Sequence, residues 1–172
     1  MRTEEMSSVE REVWEALAAV HDPEIPPISI TELGIVERVS VSEGAVEVDL
    51  LPTFAGCPAL DVILADAQAA VASVTELDAR VRFVYSPPWT SDRITREGRE
   101  ALESHGLTPP GDARSRTLIP LGSLVRTDPI TCPFCGSQQT VLESAFGPTL
   151  CRSTHFCNSC RNPFEAFKPK LP

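Results

Sequence analysis

Aromatic residues are scarce in this chain, with two Trp, one Tyr and seven Phe among 172 residues. Basic side chains are also outnumbered, 15 Lys and Arg against 24 Asp and Glu, for a net charge of -9. That balance argues against non-specific binding to nucleic acid or to an anionic membrane as the main activity. No segment approaches the roughly 18 to 20 apolar residues needed to span a bilayer, and residues 1 to 8 hold no apolar stretch of signal-peptide length. A cytoplasmic location is the expectation. The chain also lacks a dinucleotide-binding Gly-rich fingerprint and the Glu-x-x-His helices of a di-iron bundle, which removes two common redox architectures.

What is present suffices for a folded core: 42% hydrophobic and 23% charged residues, in a length that suits one ordinary domain or a small one with an appendage. The charge divides unevenly. Residues 1 to 106 carry 8 basic and 20 acidic side chains, a net of -12, whereas residues 107 to 172 carry 7 and 4, a net of +3. Two units with different surfaces follow.

Ser7-x-x-Glu10 reads as a capping box, and Val9, Val13, Leu17 and Val20 recur at helical spacing beside Trp14, predicting an amphipathic helix over about residues 8 to 20. His21-Asp22-Pro23-Glu24-Ile25-Pro26-Pro27 stops it as an extended or turning loop. Period-two alternation on both sides of Glu43-Gly44 predicts a hairpin from Ile35 to Leu50. Leu60, Ile63, Leu64, Ala67, Val71 and Val74 form the next helical stripe, with Pro58 at the first helical position and Cys57 at the helix N-terminus. Leu77 to Tyr85 returns to strand character, with Val81, Phe83 and Tyr85 on one face. Ser86-Pro87-Pro88-Trp89-Thr90 is a rigid loop, and a shorter helix is expected over residues 95 to 105. The order predicts an α+β fold, a small two-layer sheet with helices on one face, over residues 1 to 106. Residues 107 to 126 read as a linker with a short strand around Leu118 to Leu121, and residues 127 to 172 as a zinc ribbon.

The ribbon rests on Cys132-x-x-Cys135 and Cys157-x-x-Cys160, separated by 21 residues. Two such turns bring four thiolates to one tetrahedral centre, which is then coordinatively closed and structural. Four reduced thiols without metal, or an iron or iron-sulfur site, use the same residues; zinc is favoured. Cys151 and His155 are extra candidate ligands, Cys151 with the alternative of a small buried residue.

Cys57 is the second point of chemistry. Amide dipoles at a helix start favour thiolate over thiol, giving a better nucleophile and a better soft-metal ligand, while the alternative is a Cys packed under its loop. Asp22 and Glu24 are the third: their carboxylates would complete a mixed sulfur and oxygen site for transient iron if the two loops share one sheet edge. Asp-Pro is equally a common turn. Trp89 is expected to pack in the core or as a lid.

The runs Asp22-Pro23-Glu24-Ile25-Pro26, Ser29-Ile30-Thr31-Glu32-Leu33-Gly34, Thr53-Phe54-Ala55-Gly56-Cys57-Pro58 and Trp89-Thr90 resemble the iron-sulfur assembly family that includes SufT-like (DUF59) proteins. Cys132-Pro-Phe-Cys135, Phe146-Gly147-Pro148-Thr149-Leu150-Cys151 and Cys157-Asn-Ser-Cys160-Arg161-Asn162-Pro163-Phe164 extend the resemblance to the PaaD family, one of the components of the phenylacetyl-CoA epoxidase system. The resemblance covers nearly the whole chain and implies an accessory protein of aerobic phenylacetate catabolism, not itself catalytic, that assists iron or iron-sulfur assembly in the oxygenase or reductase subunits. It places the family's reactive cysteine on Cys57 and the acidic loop on Asp22 and Glu24, with Thr53 beside them. The zinc ligands fall on Cys132, Cys135, Cys157 and Cys160, and Cys151 matches the subgroup's pattern. His155 departs from it, an aromatic residue being more usual there. The implied cofactors are zinc and a transient iron or iron-sulfur cargo; a dimer is compatible.

Two other classes compete. In one, Cys57 is a catalytic nucleophile or the chain an intrinsic part of the epoxidase. In the other the ribbon is an adaptor binding nucleic acid or protein through Arg126, Arg152, Arg161, Lys168 and Lys170, which the acidic remainder and few aromatics disfavour.

Overall fold

Ser7 and Glu10 open the first helix as a reciprocal cap: the Glu10 amide donates to Ser7 Oγ at 3.2 Å and the Ser7 amide to Glu10 Oε2 at 2.8 Å. The computed structural model describes residues 7–42, 44–111 and 130–170. Helix α1 (Ser8–Ala18) turns Val13 and Leu17 fully inward. Each contributes about 1.5 to 3 kcal/mol of burial. The prolines that end the helix do not leave a plain loop. His21–Asp22 (β1) and Ile25–Ser29 (β2) pair as a short antiparallel ribbon, because Asp22 Oδ1 accepts from the Glu24 and Ile25 amides at 2.7 and 3.2 Å and folds the chain back.

The chain groups into two compact units, one of residues up to 52 with 58–89, the other of residues 53–57 with those from 90 onward. In the first, β3 (Val36–Ser42) and β4 (Ala45–Leu50) form the expected antiparallel hairpin, and β5 (Asp78–Phe83) pairs with β4 in parallel. The parallel pairing needs a crossover, supplied by helix α2 (Leu60–Val74). Helix α2 also closes the β5 edge: Gln68 Nε2 donates to the Ala79 carbonyl at 2.6 Å and its Oε1 accepts from the Val81 amide at 3.1 Å. Strand β5 stops at Phe83, so Tyr85 does not continue its inward face; it is 66% exposed. Trp89 is buried and donates through Nε1 to the Leu33 carbonyl at 2.9 Å, a core role.

Asp49, which alternation places on the solvent side of β4, is nearly covered. Arg38 on β3 donates twice to its Oδ2 (3.1 and 2.8 Å) and Arg82 on β5 once to its Oδ1 (2.8 Å). Burial acts to raise the Asp49 carboxyl, but the two guanidinium groups outweigh it and hold it below its ordinary 3.8. Because folding lowers this pKa, the stabilisation is complete above 3.8 and is lost as pH falls through the folded value. Asp49→Asn is expected to cost about 2 kcal/mol in urea unfolding at neutral pH, with the gap to wild type narrowing as the titration is repeated in acid. A gap independent of pH would contradict the assignment.

The second unit holds a 3-10 turn (Ser91–Arg93), helix α3 (Arg96–Ser104) and a four-stranded sheet in the order β6-β9-β8-β7, where β6 is Leu107–Thr108, β7 Thr140–Ser144, β8 Arg152–Cys157 and β9 Pro163–Phe167. Thr95 caps α3 by accepting from the Gly98 amide at 3.0 Å. The first two residues of the expected linker are thus strand β6, parallel to β9. The strand expected around Leu118 to Leu121, and the rest of the linker from residue 112, lie outside the described residues. Among the described residues no helix is long and apolar enough to cross a membrane.

Candidate functional site

Two turns of the same construction carry the ribbon cysteines. In the first, the Cys132 amide donates to the Ser137 carbonyl and the Gly136 amide to the Cys132 carbonyl, both at 2.9 Å. In the second, the Cys157 amide donates to the Asn162 carbonyl at 3.0 Å and the Arg161 amide to the Cys157 carbonyl at 2.9 Å. The residue after each second cysteine is left-handed, Gly136 at φ 71° and Arg161 at φ 63°. Glycine adopts that conformation freely and arginine does not. Gly136→Ala is therefore expected to lower the stability of the metal-bound ribbon by about 1 kcal/mol, although nothing crowds an added Cβ, and Arg161→Gly to be neutral or stabilising. Thermal unfolding of the two variants checks the pair.

The turns bring Cys132 Sγ to 3.7 Å from Cys160 Sγ and Cys135 Sγ to 3.6 Å from Cys157 Sγ, with all four sulfurs within 4.8 Å of one another. A tetrahedron of thiolates about 2.3 Å from zinc has edges of about 3.8 Å, so the sulfurs present fit the ion. Bound there, zinc would act as a cross-link between the two turns. Cys132 and Cys157 are buried against Phe164, and Cys135 is exposed. The amides of Cys160 and Ser159 point at the Cys157 sulfur and lower it to about 7. At Cys135 the Ser137 amide acts in the same direction, but desolvation and the crowding of the other three sulfurs prevail and push it up to about 11. Cys157 is therefore the readier thiolate of the pair it forms with Cys135, whose proton a metal must displace.

Among the described residues these four form the group of three or more His, Cys, Asp or Glu close enough to share an ion. Cys151 and His155 stand outside it. Cys151 is buried with its sulfur 3.1 Å from Thr149 Oγ1. His155 stacks on Phe164 at 5.5 Å, and its Nε2 is 3.0 Å from Ser153 Oγ. Burial lowers its pKa and keeps it neutral.

Cys57 is half-buried in a loop and not in the first turn of α2, which starts at Leu60 after an Ala59 cap. Pro58 precedes the cap and is not the first helical position, so Cys57 stands two residues ahead of the cap, where the helix dipole acts on it less. The Cys57 amide donates to the Phe54 carbonyl at 3.1 Å, closing a tight turn over Thr53–Cys57. Thr53 is buried, and its carbonyl accepts from Lys170 Nζ at 3.2 Å. Asp22 is buried within its own turn and Glu24 is exposed. The contacts of Lys170 were not readable from the sequence.

Residues 10–83 match the family described as iron-sulfur cluster assembly protein, and residues 121–168 match the PaaD zinc beta ribbon domain. The chain is 35% identical over 158 residues to an Escherichia coli (strain K12) protein provisionally named as the D component of 1,2-phenylacetyl-CoA epoxidase, an alignment covering 91% of each. The chain belongs to the PaaD family. Its PaaD-type ribbon follows a portion shared with shorter proteins. One is the Staphylococcus aureus (strain USA300) Fe-S protein maturation auxiliary factor SufT, 40% identical over 85 residues, 48% of this chain and 96% of that one. Another is the Bacillus subtilis (strain 168) Fe-S protein maturation auxiliary factor YitW, 33% identical over 97 residues, 55% of this chain and 94% of that one. A crystal structure of a DUF59 domain from Bacillus anthracis superposes with a TM-score of 0.50 at 29% identity, covering 55% of this chain and 92% of that one.

Proposed function

We propose that this PaaD-family chain is an accessory maturation component of the phenylacetyl-CoA 1,2-epoxidase system, assisting assembly of an iron or iron-sulfur centre in its oxygenase or reductase subunits. The observation that carries it is the union, in one chain, of an assembly domain shared with Fe-S maturation factors and end-to-end similarity to an epoxidase-system protein. In this reading Cys57 takes the cargo. A lone thiolate with one or two oxygen neighbours holds iron weakly enough to give it up. Thr53, in the same turn, is the proposed helper, and the ribbon, held by zinc on Cys132, Cys135, Cys157 and Cys160, faces the client.

Co-production of the oxygenase and reductase with and without this chain, under limiting iron, tests the reading. Iron content of one client and epoxide formation are expected to fall severalfold together when the chain is omitted. Equal iron content in both preparations would overturn it.

A further inference from the structure

The loop that carries Cys57 groups with the ribbon although it lies far from it in sequence. Three contacts account for this. Lys170 Nζ donates to the Thr53 carbonyl at 3.2 Å and lies 6.0 Å from the centre of the Phe54 ring, within cation-π reach. Leu150 lies against Gly56, where a Cβ would meet its Cδ1 at 3.5 Å. Lys170 is itself fixed along the backbone. Its amide donates to Ser91 Oγ at 3.1 Å, and its carbonyl accepts from the Ser91 amide at 3.1 Å and hydroxyl at 3.2 Å. Leu150 is tied to the same end of the ribbon by Lys168, whose Nζ donates to the Leu150 carbonyl at 2.9 Å. Lys168 and Lys170 closely follow β9, the strand between β6 and β8.

We propose that Lys170 is a positioning residue for Cys57: with Leu150 it clamps the Thr53–Cys57 loop onto the ribbon, so that the order of the thiol's loop depends on the folded ribbon. The loop is short and its middle residues, Ala55 and Gly56, are exposed, so much of it meets solvent. A cationic donor on a carbonyl and a methyl on a glycine are modest restraints individually. Together they act on both ends of one short turn, which suits a loop that must present a sulfur and then release what it holds. The ribbon becomes part of the cargo site's scaffold in addition to any docking role. The proposal rests on the reading of Cys57 as the cargo thiol for its functional meaning, but the clamp has its own readout.

The test uses full-length, zinc-loaded protein with Lys170→Met, Lys170→Arg and Leu150→Ala. Amide hydrogen exchange over residues 53–57 is expected to speed up about fivefold in Lys170→Met, the share of one hydrogen bond, and to return toward wild type in Lys170→Arg. Zinc content stays unchanged in all three. Leu150→Ala gives a similar increase by an independent contact, and covers the case of a poorly folding Lys170 variant. Iron transfer to a client should fall in parallel with the exchange increase and recover with arginine. Unchanged exchange over 53–57 in both Lys170→Met and Leu150→Ala overturns the clamp. Faster exchange with undiminished transfer, and a Cys57→Ser chain that transfers normally, overturns the cargo reading and leaves the clamp standing.

Discussion

A Cys132→Ser chain is expected to lose its ion and the ordered ribbon together. Cys132 is 1% exposed, and the apolar cluster around it consists of Cys157 and Phe164, with Ile130 and Cys160 at its margin. Full burial of one Phe is worth about 3 kcal/mol, whereas a structural zinc site contributes about 10 to 16 kcal/mol of apparent folding free energy at neutral pH. The metal term dominates, so the ribbon cannot hold its two turns together without it. A serine hydroxyl is a poor zinc ligand and leaves three sulfurs in a site built for four. Metal analysis should give about one zinc per wild-type chain and far less in the variant, with fast amide exchange from residue 130 onward and protected amides in α1, α2 and β3 to β5. Acid should reach the same end in wild type. Zinc binds thiolates and not thiols, so protons compete with it increasingly as pH falls. A variant that keeps stoichiometric zinc and its exchange protection would remove the cross-link from the account.

Cys57→Ser is expected to abolish iron or cluster transfer, by tenfold or more, at nearly unchanged stability. The contrast follows from what each atom does. The turn is closed by the Cys57 amide on the Phe54 carbonyl, which serine keeps. The side chain is only half-buried, and such substitutions usually stay within about 0.5 kcal/mol. What serine removes is the soft ligand, since a hydroxyl neither ionises at neutral pH nor binds iron as a thiolate does. Anaerobic iron loading followed by transfer to apo-oxygenase or apo-reductase, alongside thermal unfolding, separates the two effects. Transfer at the wild-type rate would sink the role given to this thiol.

Periodic patterning made most elements legible. The capping box at Ser7 and Glu10, the alternation across Glu43-Gly44 and the stripe from Leu60 to Val74 each became the expected element, because each is a local signal. The paired C-x-x-C turns were legible for the same reason. Features that depend on distant chain were not. Nothing local indicates that β5 adds to β4 in parallel, that two residues at Leu107–Thr108 pair with β9, or that two arginines would roof Asp49. The helix boundary near Cys57 moved because Ala59, whose carbonyl accepts from the Ile63 amide at 2.9 Å, is the cap of α2, which leaves Pro58 one residue outside the helix. The hydrogen bond between Lys170 and Thr53 spans 117 residues, and no period in the sequence encodes it.

Both tryptophans and the single tyrosine belong to the first unit: Trp14 on α1, Trp89 with its indole against the Leu33 carbonyl, and Tyr85 beyond β5. Intrinsic ultraviolet emission therefore originates in that unit alone, and the ribbon contributes only phenylalanine. A chelator titration that takes the ribbon apart has no indole within the ribbon to follow. A dye that colours on binding released zinc, or a tryptophan placed at the exposed Phe146, makes that event visible.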